Sequence, residues 1–92
     1  MDIIVIHDME NERFVADING DKAYAAYNLE GDIIKLYSTF TPQHLRGRGI
    51  AKTIVETVFK YAMDNNLKVQ PICSYVRSFI SQNREYSDFV AN

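Results

Sequence analysis

One stretch constrains the fold of this chain more than any other. Residues 39–51 read Thr-Phe-Thr-Pro-Gln-His-Leu-Arg-Gly-Arg-Gly-Ile-Ala, and they run into a helical pattern. A β-branched and aromatic run stops at Pro42, and a short loop follows with Arg46, Gly47, Arg48 and Gly49. Apolar residues then fall at Ile50, Ala51, Ile54, Val55, Val58, Phe59, Ala62 and Met63. That double stripe is the mark of one buried helix face. So a strand feeds a glycine-rich turn, and the turn opens a helix. The first turn of a helix leaves four N–H groups without intrahelical partners, and the helix dipole adds partial positive charge there. Glycines allow close approach to those groups, and two arginines add charge. The geometry suits a phosphate or pyrophosphate. Spacing alone leaves this reading open beside an ordinary strand-to-helix turn. No third glycine stands at Lys52, as a dinucleotide fingerprint requires, and no Gly-Lys-Ser/Thr follows, as a P-loop requires.

Ninety-two residues allow one domain, spanning 1–92, with a thin core. A hydrophobic content of 47% and 12% aromatic residues are those of a globular chain rather than a disordered one. The formal net charge of −2 provides no field for nucleic acid or an anionic membrane, so neither is expected as a partner. A lone cysteine excludes an internal disulfide and fits a reducing compartment. There is no signal-like apolar segment and no run of about 18 apolar residues, so the expectation is a cytoplasmic protein.

The first half reads as an antiparallel meander. Residues 3–6 are a short apolar strand, broken by Asp8, Glu10 and Asn11. Residues 13–18 alternate, with Phe14, Ala16 and Ile18 on one face. Asn19-Gly20 is a strong hairpin signal, and residues 22–28 return. After Glu30-Gly31-Asp32, residues 33–41 alternate again, with Ile34, Leu36, Ser38 and Phe40 set against Lys35, Tyr37, Thr39 and Thr41. The main helix runs from the glycines to about Asn65, where Asn65-Asn66 is a suitable stop. Residues 67–73 form a further strand. Strand, helix and strand in this order predict a right-handed crossover and a parallel pair. A short helix follows from Ser74 to Asn83, then a last helical turn around Tyr86, Phe89 and Val90. The fold class is therefore α/β (α+β): a mixed sheet of antiparallel meander plus a parallel strand pair, with one main helix.

Cys73 precedes the start of that short helix. It reads either as a reactive thiol, because a helix N-terminus lowers thiol pKa, or as a small buried hydrophobe. His44 reads as a solvated loop histidine, and His7 has no evident partner. No histidine pairs with Cys73 in a metal-ligand pattern, so no metal is expected.

Arg46-Gly-Arg-Gly49-Ile-Ala51 resembles Arg/Gln-x-x-Gly-x-Gly/Ala, the pyrophosphate motif of the GCN5-related N-acetyltransferases. Residues 67–76, Leu-Lys-Val-Gln-Pro-Ile-Cys-Ser-Tyr-Val, followed by Glu85-Tyr86, resemble the minimal (YjdJ-like) branch of that superfamily. The resemblance covers essentially the whole chain. It implies the fold of that superfamily and acetyl transfer from acetyl-CoA to a primary amine on a small molecule, peptide or protein. Coenzyme A would be held by Arg46, Gly47, Arg48, Gly49, Ile50 and Ala51. Main-chain groups of Ser38, Thr39, Phe40 and Thr41 would pair with pantetheine where two parallel strands splay, and Cys73 would lie at the thiol end as the candidate catalytic residue. Many members of the small branch carry a histidine where this chain has Ser38 and Thr39, so a base of that kind is missing here. Tyr75 and Tyr86 match family positions, and neither stands out as a general acid. Larger members place two helices between their first strands to form the acceptor site, and Asn19-Gly20 leaves no room for them. A non-catalytic CoA-binding or interaction module of the same fold is thus the alternative. The acceptor and the oligomeric state are not legible.

Overall fold

The structure, a computed structural model, describes residues 2–91. The described residues form β1 (Val5–Asp8), β2 (Arg13–Ile18), β3 (Asp21–Glu30), β4 (Ile33–Phe40), α1 (Ile50–Asp64), β5 (Lys68–Pro71) and α2 (Ser74–Gln82), with 3-10 turns at Gln43–Leu45 and Arg84–Phe89. The strands make one sheet in chain order, β1-β2-β3-β4-β5. The first four are antiparallel and β5 runs parallel to β4. This is the expected mixed sheet with a crossover helix.

The packing follows from the alternation. Phe14 and Ala16 on β2, Ala23, Ala25 and Tyr27 on β3, and Ile34 and Leu36 on β4 share one buried face. The three alanines are small enough to let α1 settle onto β2 and β3, and α1 answers with Ile54, Val55, Val58, Phe59 and Ala62. Fully burying each of the larger of these contributes about 1.5–3 kcal/mol. Gly49 is the N-cap of α1. At the other end Asn65 is the C-cap, and Asn66 takes the left-handed conformation at φ 56°. Val76 and Phe79 of α2 close the core, and Tyr86 packs between Phe59 and Phe79 at centroid distances of 4.9 and 5.4 Å. The amide of Ala91 donates to the carbonyl of Val69 at 2.8 Å, so the end of the described chain covers the far edge of β5.

Several boundaries differ from the sequence expectation. β1 begins at Val5 and includes Asp8, because its pairing with β2 runs from Val5–Ala16 to Asp8–Arg13. β3 extends over Asp21–Glu30 rather than 22–28. β4 ends at Phe40 rather than Thr41, and β5 ends at Pro71, two residues before Cys73. The larger correction concerns alternation in β4. Tyr27 pairs with Leu36 but Ala26 pairs with Ser38, so Tyr37 is one residue extra. Such a bulge reverses which side each later residue faces. Ser38 and Phe40 therefore do not continue the Ile34 and Leu36 face. Ser38 stands in register with Ala26 and Phe40 with Tyr24, while Thr39 stands in register with the core residue Ala25.

No helix among the described residues is long and apolar enough to cross a membrane.

Candidate functional site

β4 and β5 stay together only briefly. Their paired residues run from Ile33–Lys68 to Leu36–Pro71. The carbonyl of Leu36 then accepts the amides of both Ile72 and Cys73, at 3.0 and 3.1 Å. Arg77 of α2 donates its guanidinium to the carbonyls of Ile72 and Pro71 and fixes the departing chain. From there β5 turns into α2 while β4 runs on to Phe40. Among the described residues no strand lies beside the outer edge of β4 from Tyr37 to Phe40.

The loop after β4 is held at three places. Leu45 is buried in the core. His44 Nε2 lies 3.0 Å from Asp21 Oδ2 at the start of β3, an exposed contact. Arg46 Nε donates to the carbonyl of Thr41 at 3.1 Å. Gly47 and Gly49 have φ of 80° and 78°, a conformation that side chains with a Cβ rarely adopt. No side chain caps α1 and its first turn holds no acidic residue. The amides of its first turn thus face outward without a protein acceptor. A Cβ placed on Gly49 would meet no atom within 4 Å, so the space before these amides is open.

The free edge of β4 and the start of α1 border one cleft of about 460 Å³. Thr39, Phe40 and Thr41 line it on one side and Arg46, Gly47, Gly49, Ile50 and Ala51 on the other. The sequence reading omitted Leu45 and Lys52, which also line it, and left Tyr75 undecided, which forms its α2 wall. Lys52 follows the motif by one position, and its place in the first helical turn was the available signal. Arg48 is exposed and Ser38 points to the other face of the sheet; neither lines the cleft.

Cys73 is the N-cap residue of α2, half-buried at the inner end of the split. Its Sγ lies 3.4 Å from Thr39 Oγ1. Burial pushes the thiol pKa up, but the Thr39 hydroxyl and the nearby amides of Tyr75, Val76 and Thr39 outweigh it, and the pKa falls below the ordinary thiol value. These amides lie near the sulfur without closing a side-chain cap on α2, so the Thr39 contact is the firmer one. Burial raises the Tyr75 pKa, with Glu56 adding to it, so its phenol stays protonated. Tyr86 is half-buried and packs against the core rather than the cleft. His7 lies away from the cleft, where Nε2 meets Tyr27 Oη at 2.6 Å and the ring stacks on Phe14 at 3.9 Å. Among the described residues no three His, Cys, Asp or Glu side chains group as metal ligands.

A family described as GCN5-related N-acetyl-transferase matches residues 13–89. Similar proteins include Protein NATD1 of Gallus gallus, 32% identical over 84 residues that cover 88% of this chain and 76% of that one. Protein NATD1 of Homo sapiens is 32% identical, covering 88% and 74%, and that of Xenopus tropicalis 31%, covering 88% and 77%. The match spans the elements that build the cleft, from β2 to the turn after α2, and the chain belongs to the GCN5-related N-acetyltransferases.

Proposed function

We propose that this chain binds acetyl-CoA in the cleft and transfers its acetyl group to a primary amine. One observation carries the reading: the unpartnered edge of β4 and the uncapped start of α1 open into the same cleft. A pyrophosphate is a diester anion that needs fixed N–H donors, and an extended pantetheine amide chain needs a strand edge. The residues present fit both. Open space stands before Gly49, no carboxylate competes at the first turn, and Arg46 and Lys52 add charge.

In this reading the amides following Gly49 hold the pyrophosphate and main-chain groups of Thr39 to Thr41 align the pantetheine. When bound, acetyl-CoA supplies an activated thioester open to attack by an amine. Thr39 lines the acyl end, Cys73 stands 3.4 Å from its hydroxyl without itself lining the cleft, and Tyr75 walls that end from water. The chain's contribution is positioning, together with N–H donors aimed at the carbonyl oxygen. The short connections between the first three strands, residues 9–12 and Asn19-Gly20, leave the acceptor side open, which suits an amine on a small molecule, a peptide or a protein.

Native mass spectrometry after incubation with acetyl-CoA, followed by a panel of amines, tests this. Bound CoA and acetylated amine are expected. CoA bound without transfer to any amine would support the binding-module alternative, and no binding would overturn both.

A further inference from the structure

The sheet face turned away from α1 carries a pattern of its own. Ile6, Val15, Tyr24 and Phe40 stand in register across β1, β2, β3 and β4, so four apolar side chains form one row. Ile6 is 61% and Phe40 44% exposed, and Ile4, next along β1's outer side, is 72% exposed. Charged pairs flank the row on both sides. Asp8 stands beside Arg13 on one side, and Asp17 beside Lys22 on the other. In each pair the acid lies on the strand nearer β1 and the base on the strand nearer β4. The Arg13 guanidinium lies over the Tyr24 ring, 4.3 Å from its centroid.

We propose that this face binds a second copy of the chain across a two-fold axis running along the strands. That axis sets β1 of one copy over β4 of the other, and β2 over β3. Ile6 then meets Phe40 of the second copy, and Val15 meets Tyr24. Asp17 lies over Lys22 of the second copy, and Arg13 lies over Ala26, whose methyl leaves room for it. A two-fold axis along the row of residues would instead lay each strand over its own copy, setting Asp17 over Arg13 but Lys22 over Ala26 and the exposed Ile4 over Asp8. The axis along the strands keeps the exposed apolar residues on apolar partners and Asp17 on Lys22, so the face is complementary to itself, as a closed symmetric pair requires. The strand axes of the two sheets line up, with facing strands running in opposite directions, the aligned form of sheet-on-sheet packing. The self-complementary charge order favours a second copy over an unrelated partner. The contact is one row of apolar residues across four strands, so the dimer forms in a concentration-dependent way. Phe40 belongs to this row and also lines the cleft, so pairing closes the cleft's outer side. The proposal does not depend on the acetyltransferase reading.

Sedimentation equilibrium of the intact chain, up to about 0.5 mM, tests it. The mass is expected to rise with concentration from 10.6 kDa toward twice that value. Ile6→Glu, at an exposed position, should remain monomeric and folded by circular dichroism. Lys22→Glu and Asp17→Lys should each weaken the dimer about tenfold or more, since each sets like charges over one another twice. An equimolar mixture of the two should regain wild-type association, because both cross-contacts become opposite in sign again. Asp17 Oδ1 also accepts the amide of Gly20 at 2.7 Å, so if Asp17→Lys misfolds, Ile6→Glu and Lys22→Glu decide alone. Wild-type protein that stays monomeric overturns the proposal. So does a dimer indifferent to Ile6→Glu or Lys22→Glu, or a mixture of folded variants that does not recover. Protection of this face by an amine-bearing peptide bound to a monomer would assign it to the acceptor and overturn the proposal too.

Discussion

Thr39 Oγ1 lies 3.4 Å from Cys73 Sγ, and this contact joins β4 to the start of α2 at the point where the strands part. The hydroxyl is the only side chain among those that favour the thiolate. It reaches Cys73 because the bulge at Tyr37 turns Thr39 toward the α1 side of the sheet. The catalytic reading of Cys73 therefore depends on its neighbour as much as on its own place at a helix start.

Thr39→Val should raise the Cys73 pKa, because a donor to the thiolate is lost while the burial that opposes ionisation remains. Alkylation rates followed against pH are expected to shift their midpoint upward. An unchanged profile would show that the amides of Tyr75 and Val76 set the thiol alone.

Cys73→Ala and Cys73→Ser should keep most of the acetylation activity. No histidine or lysine stands against the thiol, and direct attack by the amine needs only positioning. The check is turnover in variants shown to be folded and to bind CoA. Activity lost in both, with an acetyl adduct on wild-type Cys73 that an added amine discharges, would establish covalent transfer instead.

Gly49→Val should lower CoA affinity at least about tenfold, since a branched side chain would fill the open space before the α1 amides. The left-handed φ of 78° adds about 1–3 kcal/mol of strain, so folding must be verified first. Arg48→Ala should weaken binding much less, because the arginine is exposed and does not line the cleft. Calorimetry on the pair separates amide from arginine contributions, and equal losses would reverse the ranking.

Stability should fall as pH drops below the ordinary histidine range of about 6.5. Burial lowers the His7 pKa, only partly offset by Asp8, so the folded state resists protonation more than the unfolded state does. The contribution is complete above the unfolded value and is lost as pH falls through the folded one. Urea midpoints at neutral and mildly acidic pH measure this. His7→Phe should be less stable near pH 8, having left Tyr27 Oη without its partner, but should show a flatter acid limb.

Phe59→Ala should cost about 3–5 kcal/mol. The ring is wholly buried and touches both Phe79 and Tyr86, so its loss opens a cavity between α1, α2 and the last turn. Chemical denaturation provides the figure, and a loss below about 1.5 kcal/mol would mean that α2 closes over the gap.

Most of the architecture was legible because period and punctuation agree. Asn19-Gly20 marks the hairpin, the double stripe marks α1, and the strand-helix-strand order gives the parallel pair. The glycine turn before α1 was legible for the same reason, since Gly47 and Gly49 stand where the backbone needs positive φ. The bulge was not, because neither glycine nor proline marks Tyr37 and the apolar alternation continues across it unbroken. Ser38 was consequently given the wrong face. His7 and Tyr27 lie twenty residues apart, and only the pairing of β1, β2 and β3 brings them together. Tyr75 and Tyr86 are alike in sequence, and packing alone separates a cleft wall from a ring set against the core.

The extra residue in β4 makes one strand answer to two masters. Ile34 and Leu36 are judged by the core, whereas Thr39 and Thr41 are judged by the cleft. A change of length at position 37 would swap cleft-facing for solvent-facing side chains beyond it and leave the hydrophobic interior untouched. Natural variation in this segment can therefore rewrite specificity without passing through an unfolded intermediate, a form of evolvability set by the parity of a single strand.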